Sequence, residues 1–246
     1  MTTVKQMALV TGTNKGIGFE IYRQLARVGF TVLLGARESS RGMQAARTLQ
    51  KQGLDVRPVQ VDMNDPTTFG KVYDLIASDY GRLDVLVNNA GFAKDWAYTA
   101  ANVPIQMLRE TLEVNFVALV DLTQRLLPLI RKSSAGRIVN QSSALGSLTL
   151  HSTPGSGLEA LKPLAYNSSK TALNALTVHL ADALKGTPIK VNAAHPGSVL
   201  TEANPSGLLS VAAGPRPALA LATLPPDRPT GALLPPRPPP PRPPPP

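Results

Sequence analysis

The chain has 246 residues, 43% of them hydrophobic and none of them cysteine, with a formal net charge of +9 at pH 7. This length suits one large α/β domain or two small ones, and a chain without cysteine forms no disulfides, thiolate nucleophiles or cysteine zinc sites. Its basic residues are scattered singly or in pairs and aromatic residues make up only 4%, which disfavours nucleic acid as the partner of the positive charge.

Strand-like and helix-like segments alternate along most of the chain. In chain order, the predicted elements are a strand at 6–11, a helix at 16–29, a strand at 30–36, a helix at 39–53, a strand at 55–62, a helix at 64–81, a strand at 83–91, a long helix at 105–132, a strand at 136–143, a helix at 164–186 and a strand at 189–197. Asp65 is the predicted N-cap of the third helix, with Pro66 in its first turn, and Pro128 is a candidate kink in the long helix. The alternation predicts a parallel, doubly wound sheet that binds its ligand at the carboxyl ends of the strands.

The two ends of the chain differ from the segments between them. The start, MTTVKQMALVTG, lacks the long apolar core of a signal peptide, and no run of about 18 apolar residues exists, so we expect a cytoplasmic protein without a membrane span. From Leu234 the sequence reads LPPRPPPPRPPPP, and proline has no amide hydrogen to give to a central strand. We therefore predict one folded domain over 1–234 and an extended, disordered proline-rich tail over 235–246.

The segment TGTNKGIG, residues 11–18, joins the first strand to the first helix. In that context its glycines predict a dinucleotide-binding turn: Gly12 permits the turn, Gly16 lets the backbone approach a pyrophosphate, and Gly18 allows close packing of helix on strand. The helix N-terminus then offers free amides to the phosphates. A triphosphate-binding loop would need a lysine after its second glycine, where this chain has Ile17. The alternative is a glycine turn without a ligand.

The spacing Gly12-x-x-x-Gly16-x-Gly18 resembles that of the short-chain dehydrogenase/reductase family, and later segments extend the resemblance in order. They are VDMND at 61–65, NNAG at 88–91, YNSSK at 166–170 and HPGSVLT at 195–201. The wider sequence, especially LDVLVNNAGFA and LAYNSSKTALNALTV, is most similar to the carbonyl-reductase-like branch. The resemblance implies a single-domain, Rossmann-like sheet with strand order 3-2-1-4-5-6. The family's seventh strand is in doubt here, because prolines replace it.

The same resemblance implies an NADP(H) cofactor and a small carbonyl or alcohol substrate. It places Asp62 beside the adenine and the HPGSVLT segment beside the nicotinamide. The implied cofactor-binding residues are Gly12, Asn14, Lys15, Gly16, Ile17, Gly18, Arg37, Asp62, Met63, Asn89, Ala90, Gly91, Tyr166, Lys170, Pro196, Gly197, Val199 and Thr201.

The end of the second strand indicates which nucleotide is bound. A free ribose 2′-hydroxyl is usually met there by an acid, whereas this strand ends in Ala36 and Arg37. A guanidinium suits a 2′-phosphate by its charge and its forked donors, and Lys15 would approach the same phosphate from the glycine turn. The sequence therefore predicts a preference for NADP(H). The alternative is that Arg37 and Lys15 are both solvated surface residues. In either case, the neighbouring Glu38 would partly neutralise the charge of Arg37.

Tyr166 and Lys170 are four residues apart on a predicted helix, so their side chains share a face. A free tyrosine has a pKa near 10, and we expect the neighbouring ammonium and a positive nicotinamide ring to lower it. By the resemblance, Tyr166 is the general acid that protonates the carbonyl oxygen and Lys170 also holds the nicotinamide ribose. The alternative is a pair of surface side chains.

Two further residues complete the catalytic set that the resemblance implies. Ser143 resembles the serine that hydrogen-bonds the substrate oxygen, and it is preferred over Ser142 because Gly146 follows it by three positions. Asn115 resembles an asparagine that holds a water linking the lysine to solvent. Its alternative role is that of a core polar residue that bonds backbone.

The three histidines are not spaced as metal ligands, so no metal site is predicted. His195 is a candidate for the cofactor pocket, His151 for the substrate mouth, and His179 for a surface or helix-packing position. Trp96 is a candidate border of the substrate site.

Ser143 and Tyr166 are 23 positions apart, farther than in many family members. The extra segment, 148–163, is predicted to be a lid over the substrate or an obstacle at a subunit interface, so monomer and homo-oligomer both remain open.

The sequence thus predicts an NADPH-dependent oxidoreductase that reversibly reduces an aldehyde or ketone, with tyrosine as general acid. The alternative is a non-catalytic NADP(H)-binding or interaction protein whose proline–arginine tail docks into an SH3-like groove.

Overall fold

Seven parallel strands form one sheet in the order β3-β2-β1-β4-β5-β6-β7 in the computed structural model, which describes residues 5–12, 15–202 and 204–235. The strands are β1 (Met7–Thr11), β2 (Thr31–Ala36), β3 (Val56–Gln60), β4 (Val85–Asn88), β5 (Arg137–Gln141), β6 (Lys190–Ala194) and β7 (Leu233–Leu234). The predicted Rossmann-like fold and the strand order 3-2-1-4-5-6 are confirmed. Of the predicted tail, residues 236–246 lie outside the described part of the chain.

The helices cover both faces of the sheet. They are α1 (Gly16–Arg27), α2 (Ser39–Gln50), α3 (Thr67–Asp79), α4 (Ile105–Leu112), α5 (Ala118–Ile130), α6 (Leu148–Ser152), α7 (Leu164–Ala183) and α8 (Arg216–Ala222). Helix α3 begins one residue after Pro66, and the Asp65 carboxylate still accepts from the Thr67 amide at 3.1 Å. Among the described helices none is long and apolar enough to cross a membrane.

The long helix predicted over 105–132 is broken into three parts. A π-helical turn, Glu113–Val117, separates α4 from α5 and contains the buried Asn115. The helix is therefore interrupted at Asn115 and not near Pro128, where the sequence predicts a kink. Pro128 lies within the last turn of α5, which continues through it to Ile130, although proline supplies no backbone N–H for the helical bond at that position. Single π-turns inside helices are frequent at functional sites.

The seventh strand is present, although short. Leu233 and Leu234 pair with Ala193 and Ala194 of β6, and the His195 amide donates to the Leu234 carbonyl at 2.9 Å. The expectation that prolines replace this strand is therefore wrong for its first two residues, because the prolines begin immediately after the pairing ends.

Two apolar layers hold the helices on the sheet. Residues at alternate strand positions, such as Leu9 and Leu86, pack with α3, α5 and α7, whereas Val10 and Val87 pack with α1, α2 and α8. Burial of both sheet faces explains the continuous apolar runs of the strands. All carboxyl ends of the parallel strands consequently meet at one edge, where the candidate site lies.

Candidate active site

The glycine turn joins β1 to α1 at the carboxyl edge of the sheet. Gly12 and Gly16 adopt positive φ angles of 73° and 63°, which favour glycine. A Cβ on Gly12 would lie 2.5 Å from the Ala90 Cα, so only glycine fits between β1 and the turn after β4. Gly18 is buried in α1, and Ile17 packs against the core beneath it. Asn14 lies outside the described residues.

The start of α1 has the features of a phosphate site. Its N-cap residue, Lys15, makes no side-chain capping bond to the helix. Among the described residues no side chain caps the first backbone amides of α1, and such amides at the positive end of a helix dipole suit an anion. Together with the two positive-φ glycines, these amides fit the pyrophosphate of a dinucleotide.

The turn after β4 is tied to the end of β1. The Asn89 side-chain amide donates to the carbonyls of Thr11 and Gly12 at 2.8 and 2.9 Å. The Thr11 hydroxyl accepts from the backbone amides of Asn89 and Ala90. This hydroxyl had no signature in the sequence analysis, because its role depends on pairing between strands that are distant in the chain.

The basic residues predicted to clamp a 2′-phosphate each have an acidic neighbour. Lys15 pairs with Glu202, and the Arg37 guanidinium lies 3.3 Å from Glu38. Glu38 also accepts from Arg41 at 2.8 Å, so this corner holds a second guanidinium that the sequence analysis did not name. Arg37 and Lys15 are both mostly exposed, and their joint role stays a prediction.

Asp62 and Met63 lie just beyond β3, next to the start of α3. The Asp62 amide donates to the Thr68 hydroxyl at 3.1 Å, and its carboxylate accepts from the Asn64 amide at 3.0 Å. Met63 is buried in the core. Both residues therefore shape the end of β3, where the resemblance places the adenine.

The segment after β6 lies against the glycine turn. A Cβ built on Gly16 would come within 3.7 Å of the Thr201 methyl group. Val199 is buried, and Gly197 has a φ of 78°. Pro196, which the prediction also assigns to the cofactor, is half-buried. The structure thus brings this segment and the glycine turn together, as the sequence predicts.

Ser143, Tyr166 and Lys170 meet at the end of β5. The Ser143 side chain lies beside the Tyr166 phenol, and its hydroxyl accepts from the Leu145 amide at 3.1 Å. The Lys170 Nζ lies 5.6 Å from the centre of the Tyr166 ring. It donates to the Gln141 carbonyl at 2.7 Å. The predicted triad is therefore assembled around the phenol.

Burial controls the protonation of this cluster. It raises the pKa of Tyr166, and the neighbouring Ser143 side chain only partly offsets that effect. Loss of solvent thus outweighs the neighbouring protein groups, and the lowering expected beside a positive nicotinamide ring stays a prediction. Burial also lowers the pKa of Lys170 from 10.5 to about 8. Near neutrality the phenol is thus protonated and the amine is charged.

Asn115 connects three parts of the site. Its side-chain oxygen accepts from the Phe92 amide at 2.9 Å, and its side-chain nitrogen donates to the Phe92 carbonyl at 2.9 Å and to the Ser169 hydroxyl at 3.0 Å. These contacts favour the alternative role, in which the side chain bonds backbone. A Cβ on Gly91 would lie 3.1 Å from the Asn115 oxygen, so a larger residue there would crowd the Asn115 side chain.

The inserted segment 148–163 is anchored by a histidine. Its ring nitrogens lie near two carbonyl oxygens, with Nε2 of His151 2.9 Å from Leu145 and Nδ1 3.1 Å from Leu158. Asn167, the residue after Tyr166, places its side-chain nitrogen 3.2 Å from the same Nε2. These bonds brace the insertion against the site, and a substrate role for His151 gains no support from them.

The tryptophan and the two other histidines that the sequence analysis considers lie in different parts of the fold. Trp96 borders Tyr166, with ring centres 6.0 Å apart. His179 is exposed on α7. His195 is half-buried, and burial lowers its pKa. Within the described ranges, no three His, Asp or Glu side chains form a group that could hold a metal.

Comparisons with known proteins agree with this geometry. A family model described as short chain dehydrogenase matches residues 6–207. Carbonyl reductase (NADPH) 1 of Mus musculus is 34% identical over 265 aligned residues, which cover 92% of this chain and 94% of that protein.

Two solved structures extend the comparison to the fold. Salutaridine reductase from Papaver somniferum superposes with a TM-score of 0.82 and 29% identity, covering 93% of this chain and 99% of that one. A short chain dehydrogenase from Shigella flexneri, complexed with NADP, gives a TM-score of 0.83 at 28% identity and covers 94% and 96% of the two chains.

Proposed function

This chain belongs to the short-chain dehydrogenase/reductase family, and from that membership we propose that it reduces an aldehyde or ketone to an alcohol, reversibly, with NADPH. One observation carries the proposal: the side chains of Ser143, Tyr166 and Lys170 lie together at the sheet edge where the glycine turn lies. The names of the mouse reductase and of the NADP-complexed Shigella structure support the same cofactor.

The glycine turn, the amides at the start of α1 and the segment 196–201 would hold the dinucleotide. Arg37 and Lys15 would meet its 2′-phosphate. When bound, NADPH supplies the hydride that the carbonyl carbon accepts. The chain's own residues then have to orient the carbonyl, supply a proton and restrict water.

Tyr166 is the proton donor in this mechanism. Its raised pKa keeps the phenol protonated at neutral pH, and a carbonyl oxygen bound between it and the neighbouring Ser143 hydroxyl would accept from both. As the oxygen gains charge, the phenol proton passes to it, and the nearby Lys170 ammonium stabilises the phenolate that remains. Such general-acid catalysis typically contributes about 10²–10⁴ in rate.

Replacing Tyr166 by phenylalanine tests the mechanism. We expect Tyr166→Phe to lower kcat by about 10²-fold or more, because the ring stays and only the proton donor is lost. NADPH binding should remain within about twofold of wild type, because the hydroxyl contributes little to holding the nucleotide. Turnover is measured as NADPH oxidation over a panel of aldehydes and ketones, and binding by NADPH fluorescence.

NADH in place of NADPH, and Tyr73→Phe on the remote helix α3, serve as controls. Undiminished turnover in Tyr166→Phe would overturn the assignment of the acid. The absence of turnover by the wild-type protein with every carbonyl tested would count against the reductase itself.

A further inference from the structure

Asp95 is a fully buried carboxylate close to the candidate acid. It lies in the segment between β4 and α4 and has no exposed surface. Its Oδ2 accepts from the backbone amide of Ala165 at 2.7 Å, although the two residues are 70 positions apart. Ala165 is the second residue of α7, and Tyr166 is the third.

This bond supplies the first turn of α7 with a side-chain partner from outside the helix. The residue at its N-cap position, Pro163, makes no side-chain capping bond. The first amides of a helix need partners from outside it, and a carboxylate there also meets the positive end of the helix dipole. Asp95 therefore acts as a cap supplied by a distant segment, one residue before the phenol-bearing position.

The segment that carries Asp95 is fixed at both ends. At one end, the Asn115 side chain binds both the amide and the carbonyl of Phe92. At the other, Asp95 binds Ala165, and the next residue, Trp96, lies against the Tyr166 ring with centres 6.0 Å apart. A shift of Asp95 would therefore move the start of α7 and the ring beside Tyr166 together.

Stability alone does not account for this carboxylate. Its Oδ1 has no hydrogen-bond partner among the described residues, and a buried polar atom left without a partner costs free energy. Asp84 is a useful contrast, since its buried carboxylate binds the Met7 amide, Arg82 and the Ser133 hydroxyl. Asp84 precedes β4 and lies at the opposite edge of the sheet.

We propose that Asp95 is a positioning residue for Tyr166: its buried carboxylate fixes the first turn of α7 and thereby the phenol relative to Ser143. This inference rests on the proposed role of Tyr166. A misplacement of about 1 Å at a reacting group can cost about 10²-fold in rate, so a loosened first turn should be visible in kcat.

The test compares Asp95→Ala with Asp95→Asn, which keeps an oxygen that can accept from Ala165. We expect Asp95→Ala to lower kcat by about tenfold or more with NADPH binding unchanged, and Asp95→Asn to restore kcat to within about threefold of wild type. Asp84→Ala, or Asp84→Asn if the former does not fold, controls for general destabilisation. It should lower the Tm while kcat stays within about twofold of wild type at temperatures well below unfolding.

Trp96 provides a second readout that does not depend on turnover, because it is the single tryptophan of the chain. The ring is already 54% exposed, so the expected signal is loss of its fixed place against Tyr166: Asp95→Ala should lower the anisotropy of its emission, and Asp95→Asn should leave the anisotropy unchanged. Wild-type kcat in folded Asp95→Ala, or equal losses of kcat in Asp95→Ala and Asp84→Ala, would overturn the proposal.

The experiments distinguish a failure of the proposed function from a failure of this inference. If Tyr166→Phe turns over normally, the acid assignment is wrong whatever Asp95 does. If Tyr166→Phe is inactive while Asp95→Ala retains both wild-type kcat and wild-type Trp96 anisotropy, only the positioning role is wrong.

Discussion

At the scale of single residues, the protonation of Lys170 is the clearest physical consequence of the site. Burial lowers its pKa from 10.5 to about 8, so between these values the unfolded chain holds a proton that the folded chain has released. The folded state therefore gains stability as the pH rises through that window. One pKa unit corresponds to about 1.4 kcal/mol, so the buried ammonium costs about 3 kcal/mol at neutral pH.

Lys170→Met should remove this cost. We expect the variant to be more stable than wild type at neutral pH, after a loss of about 1 kcal/mol for the bond to the Gln141 carbonyl. Its advantage should shrink as the pH rises toward the unfolded-state pKa, because only the wild type gains stability there. Urea unfolding of both proteins at about pH 7 and about pH 10 measures the difference. A difference independent of pH would contradict the assigned pKa.

The proposed preference for NADPH over NADH also depends on individual side chains. Lys15→Ala combined with Arg37→Asp removes both cations proposed to meet the 2′-phosphate and adds an acid that suits a free ribose hydroxyl. We expect the ratio of NADPH to NADH affinity to fall by about 10²-fold or more, which corresponds to about 3 kcal/mol. Fluorescence titration with each nucleotide checks it, with Arg27→Ala at the end of α1 as the control. An unchanged ratio would remove the clamp from the proposal.

At the scale of elements, periodicity predicts most of the architecture, and long-range bonds account for what it misses. The strands and helices are readable because both faces of the sheet are buried. The π-helical turn at Asn115 was missed, because its contacts with Phe92 and Ser169 come from other parts of the chain. The cap that Asp95 gives to α7 is unpredictable for the same reason, since nothing local links residues 70 positions apart.

The contribution of strand β7 to stability can be tested at the scale of elements. Two backbone hydrogen bonds join β6 and the residue after it to this end of the chain. The Ala193 amide donates to the Ala232 carbonyl, and the His195 amide donates to the Leu234 carbonyl. We expect removal of residues 236–246 to leave Tm and turnover unchanged, and removal of 232–246 to lower the Tm by roughly 5 °C or more, because it strips these bonds and the packing of Leu234. Calorimetry of the two truncations measures the contrast. Equal Tm values would show that the two-residue strand contributes nothing.

At the scale of the whole molecule, the parallel sheet explains why the candidate residues converge. The glycine turn, the turn after β4, Ser143 and the segment 195–201 all follow strands whose carboxyl ends share one edge. Their order in the sequence was therefore enough to predict that these candidate residues converge at one edge of the sheet. The protonation states of Tyr166 and Lys170 were not predictable from the sequence, because the depth at which both side chains are buried depends on how α7 packs on the sheet.

The contact between Lys15 and Glu202 has a consequence for how an anion would enter. Both side chains are more than 60% exposed, and an ion pair in such surroundings is worth about 0–1 kcal/mol. Lys15 can therefore exchange its carboxylate partner for a phosphate at almost no energetic cost. A lysine held in a buried pair would have to give up several kcal/mol first. The pair with Glu202 would therefore not prevent Lys15 from meeting the 2′-phosphate that we propose for it.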